Sequence, residues 1–105
     1  MSALPSQEIE NNSDELDLGD GHKIIFSEYK GQLRVGGDVV HPAVEGKCSG
    51  HGWISFRGRA WEQAFEQSLP SWEVVSEEPL TLSPSVLCRA CGDHGNIVQG
   101  KWVRA

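Results

Sequence analysis

The chain has 105 residues, 38% hydrophobic and 8% aromatic, with a formal net charge of −6. That length allows one modest domain whose core is thin enough for a metal or disulfides to be expected as support. No apolar run approaches the roughly 20 residues of a membrane helix, and no charged-then-apolar leader opens the chain, so neither a membrane span nor a secretory signal peptide is expected.

The charge is uneven along the chain. Residues 1–20 hold Glu8, Glu10, Asp14, Glu15, Asp17 and Asp20 with no Lys or Arg, whereas the rest carries nine acids and nine bases. The first 20 residues therefore read as an acidic, extended N-terminal arm, and residues 21–105 as the folded domain. Leu16 and Leu18 alternate with Asp17, which would let the arm add a strand at a sheet edge. A neutral body lacks the clustered positive charge that phosphate backbones require, which argues against general nucleic-acid binding.

From His22 onward the signals are those of short strands. Residues 23–26 are β-rich, 29–32 form a turn, and 33–35 return. Gly36, Gly37 and Asp38 read as a second turn before Val39 and Val40. Residues 53–57 alternate with period two, as a half-buried strand does. Residues 60–67 are the one helix candidate, with Trp61 and Phe65 on one face and Pro70 as its stop. Residues 72–75 alternate again, and 80–83, framed by Pro79 and Pro84, suit an edge or irregular stretch. Residues 86–87 lead into Cys88. Residues 96–98 and 101–103 are joined at Gln99-Gly100 in a hairpin. The expected fold is a small, mostly β, antiparallel domain resembling a zinc ribbon, with at most one short helix.

Two clusters carry chemistry. Residues 48–54 read C-x-x-H-G-x-I, and residues 91–97 repeat that pattern, preceded by Cys88 to make C-x-x-C. Zinc takes four N or S donors in a tetrahedron, and pairs separated by two residues fit a tight knuckle turn. An odd cysteine count without a secretory signal favours metal over disulfides. Five donors compete for four places. The spacing selects Cys48, His51, Cys88 and Cys91 around one zinc ion, with His94 as the alternative fourth ligand. Four protein ligands close a site structurally, whereas catalytic zinc keeps a position open. Neither H-E-x-x-H nor the H-x-E with P-C-x-x-C of deaminases is present, so no enzymatic activity is expected.

Residues 79–102 contain Ser83-Pro84-Ser85, the Cys88/Cys91/His94 cluster, Gly95, Ile97 and a final hairpin with Gly100-Lys101. This quarter of the chain resembles a module in small tailed-bacteriophage proteins of unassigned function, some of which carry a misleading ammonia monooxygenase label. The resemblance implies a phage origin and a zinc-bound β module whose ligands come from Cys48, His51, Cys88, Cys91 and His94. The resulting expectation is a non-enzymatic, zinc-stabilised protein acting through protein–protein contacts. It would be a capsid-decoration or tail-associated virion component, or a binder of a host factor in the bacterial cytoplasm, with homo-oligomerisation left open. A nucleic-acid-binding zinc ribbon is the alternative, and it needs Arg57, Arg59, Arg89 and Lys101 on one face with an exposed Trp.

Overall fold

The structure, a computed structural model, describes residues 9–65 and 70–105. Residues 1–8 of the expected arm and residues 66–67 of the expected helix lie outside that range. The chain is mostly β: β1 (Ile9–Gly19), β2 (His22–Tyr29), β3 (Gln32–Val40), β4 (His51–Phe56), α1 (Ala60–Phe65), β5 (Ser71–Glu77), β6 (Leu80–Ser83), β7 (Val86–Leu87), β8 (His94–Val98) and β9 (Lys101–Arg104). The first six strands form one sheet in sequential order, and β7, β8 and β9 form a second. Every neighbouring pair is antiparallel except β4 and β5, which run parallel through two residue pairs after the α1 crossover. A crossover carrying a helix returns the chain to the same end of the sheet, as a parallel pair requires.

The core forms where the two sheets face each other. Leu18, Ile24, Phe26, Val39, Ile54 and Phe56 from the large sheet meet Ile97 and Trp102 from the small one, closed at the sides by Leu80, Leu82 and Val86. A second cluster of Tyr29, Val35 and Trp61 lies under α1, with Trp53 and Ala60 packed against it. β2 serves both clusters because a register shift between Ser27 and Tyr29 reverses its alternation. A bulge of this kind turns successive side chains to the opposite face. Buried Ser27 then accepts the Trp53 indole N–H at 2.9 Å.

Gly36 and Gly37 lie inside β3, not in the turn their composition suggested. A Cβ on Gly36 would enter the Trp53 ring, and one on Gly37 would come within 2.7 Å of Ile24. These glycines thin the strand so that large neighbours can cross it.

The arm becomes an edge strand. β1 pairs with β2 through Leu16↔Ile24 and Asp17↔Lys23, and Leu18 is fully buried. Its acids are partly neutralised in place: Lys23 meets Glu15 at 3.1 Å, and Arg34 holds Asp14 through Nε at 2.9 Å and Nη2 at 3.1 Å. Arg34 also lies 4.0 Å over the Phe26 ring, so one side chain spans three strands. Its hydrogen bond keeps the Asp14 carboxyl below the usual carboxylate range. A depressed carboxylate contributes stability above its unfolded value and loses it as pH falls through the lowered one. Asp14→Asn is therefore expected to cost about 0.5–1 kcal/mol near pH 7, reduced by solvent screening, and progressively less as pH falls below the ordinary carboxylate range. Urea titrations of both proteins across pH 2–7 would check this.

Candidate metal centre

Two hairpin loops converge at one end of the interface between the sheets. The first joins β3 to β4. It opens with His41 N–H donating to Gly50 O at 2.8 Å and tightens through Cys48 N–H to Val44 O at 3.0 Å. Gly50 has φ +90°, and a Cβ there would lie 2.7 Å from His41 O, so the reversal needs glycine at that point. The second loop joins β7 to β8 and closes through Gly92 N–H to Cys88 O at 2.7 Å and Cys88 N–H to Asp93 O at 2.8 Å.

These loops bring His41, Cys48, Cys88 and Cys91 together, with one ligand atom from each lying within 4.8 Å of all the others. The three cysteines are free thiols of intermediate exposure, and His41 is buried. Three sulfurs and one imidazole nitrogen close enough for a single ion form a metal-compatible Cys3His set. His41 Nδ1 faces the Pro42 carbonyl oxygen at 3.0 Å. Only a protonated Nδ1 can donate to that acceptor, which leaves Nε2 as the nitrogen with a free lone pair.

The structure thus brings together Cys48, Cys88 and Cys91 but not the histidines selected by spacing. His51 is exposed and its Nδ1 meets Asp38 Oδ1 at 3.2 Å; His94 is exposed and its Nε2 meets Ser85 Oγ at 2.8 Å. The reason is strand alternation. His51 opens β4 and His94 opens β8, each three residues before an isoleucine, Ile54 or Ile97, that is buried in the core. Residues three apart on a strand point to opposite faces, so an inward isoleucine turns the histidine outward. His41 carried the contrary signal: one residue beyond β3, it continues the inward phase of Gly37 and Val39.

The thiols shift one another. Burial pushes the Cys48 thiol up, but hydrogen bonds from Cys91, Val44 and Gly50 outweigh burial and lower it. The Cys91 backbone lowers Cys88. At Cys91 the Asp93 backbone favours the thiolate, yet burial and the sulfurs of Cys48 and Cys88 push the pKa up to about 11. Three thiolates so close repel one another, and a bound dication removes that penalty by deprotonating all three.

A supporting layer lies behind the cluster. His22 is buried, its Nδ1 lying 2.7 Å from Asp20 O and its Nε2 2.7 Å from Asp93 Oδ2. Its ring stacks on Trp102 at 4.0 Å and 9°. Asp93 Oδ2 also lies 4.0 Å from His41 Nδ1. β2 therefore braces the second knuckle beside His41. His22→Phe keeps the stack and removes both hydrogen bonds, and it is expected to weaken metal binding roughly 10- to 100-fold in a chelator competition. No protein-family model, curated protein or solved structure matches the chain.

Proposed function

We propose that His41, Cys48, Cys88 and Cys91 hold one structural zinc ion and that the protein is a non-catalytic, zinc-stabilised module working through protein–protein contact. The observation that supports this most is the closed donor set, drawn from loops that belong to different sheets. Four protein donors leave no open position for water or substrate, and zinc suits three thiolates and an imidazole. Zinc at this point ties the large sheet to the small one.

Two of the basic side chains a nucleic-acid reading needs are already occupied. Arg57 is bonded to Ser71 and Arg59 to Glu77 at 3.0 Å. The protein-contact reading is therefore favoured over a nucleic-acid-binding ribbon. The resemblance of residues 79–102 to small tailed-phage proteins gives the setting we propose: a component of the virion, with a host-factor binder as the other form of the same reading. Elemental analysis is expected to give one zinc per chain, and mass spectrometry of purified particles is expected to contain the protein. A metal-free folded protein would refute the first statement, and absence from particles would refute the virion setting.

A further inference from the structure

The metal centre sits at the surface. Residues 42–47 before Cys48 and residues 89–90 between Cys88 and Cys91 are exposed, and all three cysteines are half-buried. Cys91 also lines a polar cleft of about 410 Å³, with Asp20, His94 and Arg104 in its walls. Among the described residues, Cys91 is the one thiol in that lining. The cleft is many times the roughly 30 Å³ that a water molecule occupies, so it admits a small polar oxidant to this sulfur.

The sulfurs are also neighbours of one another. Each lies within 4.8 Å of the other two. Cys91 hydrogen-bonds to both other thiols, and its bond to Cys48 is stronger than its bond to Cys88. Cys48 and Cys91 belong to different loops, one joining β3 to β4 and the other β7 to β8. Metal binding holds such thiols as thiolates, and thiolate character combined with exposure is what opens a cysteine to oxidation.

We propose that the centre is a peroxide-sensitive switch in which Cys91 is oxidised first and Cys48 resolves it, so that a disulfide between the two loops replaces the zinc ion. The proposal rests on the structural-zinc reading and gives that site its regulation. Cys91 Sγ attacks one oxygen of hydrogen peroxide; the O–O bond breaks, and the hydroxide that leaves takes a proton to become water. Cys48 Sγ then attacks the sulfenic sulfur of Cys91; the S–O bond breaks, and a second hydroxide leaves and is protonated to water. Two electrons pass from the two sulfurs to the peroxide, and two protons are taken up. Cys88 and His41 are left as a pair of donors, too few to retain the ion. The new bond joins the same loops that zinc joined, so the metal departs while the two sheets stay tied.

Hydrogen peroxide in slight excess, added to the whole chain after its zinc content is measured, tests this. The zinc is expected to be released completely and the free thiols to fall from three to one, and dithiothreitol with added zinc is expected to reverse both. Lys47, Arg57, Arg59, Arg89 and Lys101 put each cysteine on its own tryptic peptide, and the map is expected to show 48–57 joined to 90–101. The oxidised protein is expected to melt above the chelated, reduced protein, because a cross-link between the loops persists. Retained zinc with three intact thiols, a Cys88–Cys91 link, a link between chains, or sulfinic acid without a disulfide would each overturn the proposal. A melting temperature no higher than that of the chelated protein would do the same. Zinc absent before treatment counts against the structural-zinc reading, and the peptide map still decides for or against the Cys48–Cys91 step.

Discussion

Cys88→Ser, or removal of metal by a strong chelator, is expected to unfold the small sheet and lower Tm by more than about 20 °C. The small sheet is weakly held by its own strands, since β7 has two residues and β9 four. It supplies Val86, Ile97 and Trp102 to the core, so its departure opens the interface between the sheets. Structural zinc contributes about 10–16 kcal/mol in small domains, comparable with or above the 5–15 kcal/mol that separates most folded domains from their unfolded chains. Losing even 5 kcal/mol of that corresponds to roughly 20–40 °C for a domain of this size. Near-UV circular dichroism reports the loss directly, because Trp102 stacks on His22 and Trp72 donates its indole N–H to Ser85 O at 3.1 Å. His41→Ala is expected to behave like Cys88→Ser. His51→Ala and His94→Ala, both at exposed positions, are expected to change stability by less than about 0.5 kcal/mol. Unfolding by His51→Ala but not by His41→Ala would overturn the ligand assignment, and a chelated protein that keeps its Tm would show the centre to be non-structural.

The three cysteines were legible from spacing because a knuckle is a local object: Cys88 and Cys91 sit on one turn whatever the rest of the chain does. The fourth donor of the cluster, His41, was not legible that way. His51 and His94 match the knuckle spacing, but each belongs to a strand, and the strand obeys its buried isoleucine. His41 enters through pairing with Gly50 across a ten-residue loop, a relation that local spacing does not express. The strands at 53–57 and 72–75 were legible from alternation and the arm's strand from Leu16 and Leu18, whereas β3 reads in the sequence as two pieces broken by a turn at 36–38. Gly36 and Gly37 misled because glycine marks both turns and close crossings, and which applies here depends on the distant Trp53 and Ile24. The parallel step from β4 to β5 follows from where α1 packs, against Trp53 and Tyr29, which are tertiary neighbours.

The repeated C-x-x-H-G-x-I gives the second large effect. Its two glycines, Gly52 and Gly95, are equivalent in sequence and follow exposed histidines at strand starts, yet they meet different surroundings. A Cβ on Gly52 meets no atom within 4 Å. A Cβ on Gly95 would lie 2.5 Å from Cε2 and 2.6 Å from Cζ2 of Trp102, and 2.8 Å from the Val103 carbonyl oxygen. The indole cannot retreat freely, because its ring is also stacked on His22, which is hydrogen-bonded to Asp93, two residues from Cys91. Gly95→Ala is therefore expected to cost about 2–4 kcal/mol through overpacking, at or above the upper end of typical small-to-large substitutions. Gly52→Ala is expected to stay within about 0.5 kcal/mol of the parent. Because the displaced indole pushes on His22, Gly95→Ala is also expected to weaken zinc binding in chelator competition, an effect that overpacking remote from the centre would not produce. Equal denaturation midpoints for the two variants would show that Trp102 yields without cost, and an unchanged zinc affinity in Gly95→Ala would separate the Trp102–His22 stack from the support of the metal centre.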